Sequence, residues 1–325
     1  MRTVLRSLVL LILAMTAAGA AARAQDLPEI RAGTLEFGTV NWEIEVIRGG
    51  LDREHGFVLT PVVLADKDAA AIAFQAGEVD VIVTDWIWVA RQRANGYDYT
   101  FVPWSLSVGA MMADPAKAIG SVSDLKGRRI GIAGGPNDKS WVLVQAFARK
   151  AGMDLAEEAE VEFAAPPLLN ELARQGDLDA VLNFWQYNAR LKAQGFTEVV
   201  AVARILPELG LDRPPPLLGW TFREEWAEEN PELARGLLDA SYAAKDLMRS
   251  DDAVWDRIRP QMMAEDDAVF EALKSGYREG IPAGYGPADE AAAREALTLM
   301  SGIAPAAVDG LTELPDGTFW AGYAR

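Results

Sequence analysis

The chain has 325 residues, no cysteine and a single histidine, and its 48 acidic side chains outnumber 31 basic ones. These figures exclude a disulfide-stapled fold, thiolate chemistry, a histidine triad and a histidine-rich metal site. The acidic balance also argues against a nucleic-acid partner. The length suits one large or two medium domains with real cores.

The N-terminus reads as a secretory leader. Arg2 and Arg6 precede an apolar run from Leu8 to Ala22, which is short of the roughly 20 residues that a membrane span needs. Ala22-Arg23-Ala24 then fits an A-x-A cleavage site before Gln25. The expectation is a signal peptide over residues 1–24, cleaved near Ala24, and a soluble periplasmic protein. An N-terminal membrane anchor is the alternative. A lipid anchor would need a cysteine at the cleavage point. No later stretch is apolar enough to cross a bilayer, so no stable membrane insertion is expected.

Beyond the leader, strand-like and helix-like segments alternate. Leu35 to Thr39 reads as a strand, followed by Asn41 as a helix N-cap with Glu43 in the first turn. Val58 to Leu64 is a second strand, Ala69 to Ala76 a helix stopped by Gly77, and Val79 to Val83 a continuous apolar strand. The rhythm restarts near Ser123, with a strand from Arg129 to Ala133, a Gly134-Gly135-Pro136 loop and a helix from Asp138 to Ala151. One internal echo links the two runs: residues 75–86, with Gly77, Asp80 and Trp86, lie on residues 174–185, with Gly176, Asp179 and Trp185. The fold class expected is therefore α/β, with two similar lobes and a ligand cleft between them. Residues 25–112 and 218–325 would form lobe 1 and residues 113–217 lobe 2. The crossings would run through Leu106 to Ala113 and Pro214 to Phe222, and the acidic, mostly helical C-terminal part would pack back on lobe 1.

Ligands of open α/β sheets bind beyond the carboxyl ends of the strands. The residues in those places are Asn41, Trp42 and Glu43 after the first strand, and Asp85, Trp86 and Trp88 after the Val79–Val83 strand. Trp104 follows another strand, Asn137, Asp138, Lys139, Ser140 and Trp141 follow the Arg129 strand, and Asn183 and Trp185 follow the echo. Six of the ten tryptophans thus fall at strand ends. Each is ordinary packing material taken singly; together they suggest an aromatic wall able to stack on a flat ligand or hold a cation. Asp85 is the best charged contact, with a helix N-cap as its plain alternative. Glu43 has the helix dipole as its plain alternative. The Gly134–Ser140 loop offers helix-start amides to an anion but matches no nucleotide motif. Lys139 adds charge there or pairs with Asp138, and Asn137 is equally an N-cap. Catalytic motifs are missing: there is no G-x-S-x-G and no spacing that singles out a carboxylate pair.

Three segments carry a family resemblance: Leu51-Asp52-Arg53-Glu54-His55-Gly56-Phe57, Phe74-Gln75-Ala76-Gly77-Glu78-Val79-Asp80-Val81, and Asp124-Leu125-Lys126-Gly127-Arg128-Arg129-Ile130-Gly131-Ile132. In order and spacing they resemble the NMT1/THI5-like solute-binding proteins of ABC importers, the group handling nitrate, taurine, sulfonates and thiamine pyrimidine precursors. The match runs from about Leu35 to Asp239. The resemblance implies a type II periplasmic binding protein, with a membrane permease and its ATPase as partners. A monomer without a cofactor is expected, and the missing catalytic motifs argue against an enzyme, a secreted one using a carboxylate pair being the remaining enzymatic option. It supplies no ligand. Acids at Asp85 and Asp138 favour a cationic, zwitterionic or flat nitrogenous solute over nitrate or a bare sulfonate. A chelated metal on Asp85, Glu43 and Asp138 is a further option, as is a sensor that partners a membrane receptor. A pyrimidine-precursor synthase of the same fold depends on histidines that this chain lacks.

Overall fold

The computed structural model describes residues 27–325; the leader expected over residues 1–24 lies outside them. Two five-stranded mixed sheets form the cores of two α/β lobes. In the first, β1 (Glu29–Leu35), β2 (Val58–Leu64) and β3 (Val81–Asp85) are parallel, and the order is β2-β1-β3-β10-β4, with β4 at Tyr99–Ser105 and β10 at Leu218–Arg223. In the second, β6 (Arg129–Ile132), β7 (Glu160–Phe163) and β8 (Ala180–Asn183) are parallel, in the order β7-β6-β8-β5-β9, with β5 at Ala110–Ala113 and β9 at Thr197–Ala201. Each sheet takes in one antiparallel strand, β10 in the first and β5 in the second. Both of these strands follow a crossing between lobes, so the two sheets repeat one topology.

The crossing lies slightly earlier than its sequence reading. Ala110 to Met112, read as the end of lobe 1, are hydrogen-bonded into the second sheet between β8 and β9. The first strand also sits earlier, at Glu29–Leu35, because its register with β2 begins at Glu29↔Val58. Asn41 is not the cap of the following helix α1 (Val40–Val46); Thr39 holds that place, and Asn41 donates its side-chain amide back to the Leu35 carbonyl.

The sequence echo has a structural cause. Helix α2 (Lys67–Ala76) ends at Gly77, and β3 follows. In that joint Asp80 accepts the amide of Arg31 on β1 at 2.8 Å, and Arg31 returns its guanidinium to the same carboxylate. Helix α3 (Trp86–Ala94) follows β3, and α4 (Lys139–Lys150) follows β6. Helix α5 (Pro166–Gln175) ends at Gly176, and there Asp179 accepts the amide of Arg129 on β6 at 3.0 Å. Each aspartate thus satisfies a backbone amide of its parallel neighbour strand, which is why the glycine-to-aspartate spacing recurs.

After β8 comes α6 (Trp185–Ala193). The chain returns through β10 and a short helical turn at Glu224–Glu229 to the longer C-terminal helices α7 (Pro231–Ser250), α8 (Asp252–Met262), α9 (Asp267–Glu279) and α10 (Pro287–Ile303). Helix α7 buries a stripe of Leu238, Ser241, Lys245 and Met248 against α1, so two polar residues sit on a core-facing stripe. One apolar cluster spans both lobes and these helices. Among the described residues no helix is long and apolar enough to cross a membrane.

Candidate functional site

The cleft runs between the carboxyl ends of β1 and β3 on one side and those of β6 and β8 on the other. Asp85 ends β3 and caps α3, accepting the Trp88 amide at 2.9 Å through one oxygen. Its other oxygen accepts a hydrogen bond from Lys139 at 3.1 Å. Lys139 is the first residue of α4, in the other lobe, so this ion pair spans the cleft. Asp85 thus takes the N-cap place read as its plain alternative and, with its other oxygen, pairs with a lysine of the opposite lobe. Both side chains remain about a quarter exposed, at 25% and 27%.

The loop before α4 presents Lys139 by a simple arrangement. Asp138 caps the helix through the Trp141 amide at 3.1 Å, and Asn137 is exposed instead of capping. Gly134 has φ 81°, and a Cβ there would stand 2.6 Å from an Asp138 oxygen. Only glycine meets both conditions. The two acids beside the cleft titrate apart. Burial alone would raise Asp85, but the Lys139 charge and the Trp88 amide hold it below its ordinary 3.8. Burial raises Asp138, and the nearby Asp85 charge adds to that rise.

These opposite shifts have opposite pH consequences. The stabilisation from Asp85 is complete above 3.8 and is lost only as pH falls through its depressed value. Asp138 works the other way, favouring the folded protein below 3.8 and losing that contribution as pH rises through its elevated value. The cross-cleft pair is thus expected to survive acidification past the ordinary carboxylate range. Tryptophan emission of the ligand-free protein should show an acid transition below pH 3.8 while far-UV circular dichroism is unchanged, and Asp85→Asn should lack it. A wild-type transition centred well above that value would contradict the assignment.

A second constellation lies deeper, on the lobe 1 side. Glu43 is fully buried, at 0% exposure, and Lys245 is buried at 2%. One Glu43 oxygen accepts from Lys245 at 2.6 Å, Trp104 Nε1 at 2.8 Å and Tyr277 Oη at 2.8 Å. The other accepts from Ser241 Oγ, which itself accepts from Trp220 Nε1 and Lys245. Burial lowers the Lys245 pKa while Glu43 opposes the fall. Burial and the Glu43 charge together push the Tyr277 phenol well above its ordinary value. With donors on both of its oxygens, Glu43 is no free metal ligand. Among the described residues no three His, Asp or Glu side chains are grouped to hold a metal ion.

The network fixes an aromatic wall. Trp104 and Tyr277 are oriented by Glu43, and Trp42 donates its indole N–H to the Gln261 carbonyl at 3.2 Å. Trp185 of lobe 2 meets Trp42 edge-on with ring centres 5.9 Å apart, and Tyr277 at 6.3 Å. Beside Trp42 opens a cavity of about 320 Å³ between the lobes, with Phe37, Tyr187, Arg190 and Met263 in its lining.

Of the residues read from strand ends, Asp85 and Lys139 meet across the cleft, with Ser140 next to Lys139 on α4, and Trp42, Trp104 and Trp185 gather around Tyr277 with Glu43 behind them. Others turn out to serve the fold. Trp86 and Trp141 are enclosed in the core, and Trp88 stacks on Tyr99 at 5.6 Å. The Asn183 amide bonds to the Pro166 carbonyl and to Asn170 within its own lobe. In this closed arrangement these four, and Asn41, have their side chains engaged by protein. Sequence reasoning missed Ser241, Lys245, Tyr277 and Trp255, all from the C-terminal helices. The signal available was polar Ser241 and Lys245 at i, i+4 on the apolar stripe of α7.

A family model described as NMT1/THI5 like matches residues 53–252. Among solved structures, the alkanesulfonate-binding protein SsuA from Xanthomonas axonopodis pv. citri bound to MOPS superposes with TM-score 0.68 at 16% identity, over 91% of this chain and 99% of that one. The periplasmic aliphatic sulphonate binding protein SsuA from Escherichia coli gives 0.67 at 18%, over 88% and 97%. The periplasmic nitrate-binding protein NrtA from Synechocystis PCC 6803 gives 0.57 at 10%, over 77% and 70%. At these identities the likeness is one of fold. A comparison with curated proteins finds no match. The repeated lobes, the interlobe cleft and a family model matching more than half of the residues agree: the chain belongs to the NMT1/THI5-like family.

Proposed function

We propose that this protein is the solute-binding component of an ABC importer, acting in the periplasm after loss of its leader, and that its solute is a small zwitterion. The observation that carries the reading is the Asp85–Lys139 pair, drawn from opposite lobes and meeting across the cleft. A lone anion bound to Lys139 would leave the Asp85 carboxylate half-buried without its partner. A lone cation on Asp85 would strand Lys139. Unpaired charge in such a place is costly. A zwitterion inserted between them exchanges one ion pair for two and leaves no charge alone. An interlobe cavity of about 320 Å³ opens beside Trp42, of a size that admits a small solute, and an aromatic ring there suits a cationic end.

Family membership supports a permease and an ATPase as the partners, and a monomeric shuttle rather than an enzyme. A closed lobe pair holding the solute is the state such a permease would receive. The relatives described as alkanesulfonate- and nitrate-binding share the fold; the zwitterion reading rests on Asp85 and Lys139 of this chain. A thermal-shift and tryptophan-quenching screen should test taurine, ethanesulfonate, ethylamine and nitrate as charge-matched probes. Taurine-like and betaine-like molecules are expected to raise the melting temperature, and single-charge probes are not. Tighter binding of ethanesulfonate or nitrate than of any zwitterion would sink the ligand class. Native mass spectrometry of protein taken from its own periplasm would identify the solute directly.

A further inference from the structure

Gly276 lies inside α9, in ordinary helical backbone and not among the glycines with positive φ. Glycine in such a place weakens a helix relative to alanine, so its reason must be sought in what stands over it. A Cβ at Gly276 would lie 3.0 and 3.1 Å from Cε3 and Cζ3 of Trp185, with no other atom beyond its chain neighbours and its own helix backbone within 4 Å. Trp185 opens α6 in lobe 2, while α9 is held to lobe 1. Tyr277 bonds to Glu43, and Arg278 donates to the Met248 carbonyl at 2.9 Å. The indole of one lobe is therefore seated over a gap in a helix of the other, flanked by Trp42 and Tyr277.

We infer that Trp185 and Gly276 form the stop that sets how far the two lobes close. A second contact of the same helix supports this. Arg190 on α6 donates to the Met262 carbonyl at 2.9 Å and the Met263 carbonyl at 3.1 Å, and pairs with Glu265. Two side chains of α6, one apolar and one charged, thus bear on the α8–α9 region, and only the apolar one enters a gap left by a missing side chain. A bulkier residue at position 276 would hold the lobes apart, and a smaller one at position 185 would remove the stop. The inference concerns the ligand-free protein and stands whichever solute is bound.

The test is Gly276→Leu, chosen because leucine is a better helix former than glycine. The variant is expected to show a larger radius of gyration by small-angle scattering, red-shifted tryptophan emission and unchanged far-UV circular dichroism. Gly276→Leu combined with Trp185→Ala should return to the wild-type radius. A Gly276→Leu protein as compact as wild type, or a double variant no more compact than the single, would overturn the inference. Should Gly276→Leu fail to fold, Gly276→Ala decides. Helix propensity alone predicts a higher Tm in both backgrounds, whereas the stop predicts a lower Tm with Trp185 present and a higher one in the Trp185→Ala background.

Discussion

Replacing Glu43 by alanine is expected to destabilise the protein by about 3–5 kcal/mol, the range for breaking a buried ion pair by removing one partner. Lys245 is 2% exposed and would keep its ammonium beside Trp104 and Ser241 with no counter-charge. Trp104 Nε1 and Tyr277 Oη would lose their acceptor in the same step. Against a typical total stability of about 5–15 kcal/mol, this loss is large enough to unfold much of the population near physiological temperature. Lys245→Met should cost comparably, because it strands the carboxylate. The double variant Glu43→Leu with Lys245→Met is expected to recover most of the loss, since apolar replacement of a whole pair is often neutral or better. Urea unfolding followed by circular dichroism measures all three. A single-variant loss below about 1 kcal/mol, or a double-variant loss equal to the sum of the singles, would show that the pair is not coupled as its geometry requires.

The fold was legible because its signals are local. Gly77 and Gly176 end helices in the left-handed conformation, and Asp80 and Asp179 each accept a neighbouring strand amide. Backbone hydrogen bonding at a helix–strand joint constrains a few adjacent residues, so the joint leaves a spaced pattern in the sequence. The Glu43 network leaves none. Its members at 43, 104, 241, 245 and 277 come from four elements brought together only by tertiary packing. Read locally, Glu43 is a first-turn acid beside a helix dipole, which it also is.

The strand-end rule was accurate about place and silent about direction. Positions 86 and 88 follow β3 as directly as Asp85 does, yet Trp86 enters the core and Trp88 stacks on Tyr99. A helix turns about 100° per residue, so adjacent side chains at its start leave on different faces. Only the cap itself, Asp85, and the residue after the opposite cap, Lys139, were placed to meet. Trp42 and Trp185 reach each other because both sit in the first turn of the helix that follows a sheet strand at the cleft, one per lobe. The pairing of lobes thus selects among residues that sequence position treats alike.

That selection gives the cleft its charge logic, and with it the second large effect. Asp85→Ala and Lys139→Ala are each expected to weaken binding of the zwitterionic solute by roughly 30-fold or more, equivalent to about 2 kcal/mol, the low end of what truncating a desolvated charge pair costs. The preferences of the two variants should then diverge. Asp85→Ala leaves Lys139 at the start of α4 without its ion-pair partner, so ethanesulfonate should bind it better than it binds wild type, and increasingly so at low salt. Lys139→Ala leaves Asp85 without its cation, so ethylamine should gain in the same way. Titration calorimetry of both variants against taurine, ethanesulfonate and ethylamine reads this directly. The divergence is the discriminating result, because a general loss of structure would weaken all probes alike. If both variants lost every probe equally, or if Asp85→Ala left taurine-like binding intact, the cross-cleft pair would be a latch between lobes and not the seat of the ligand.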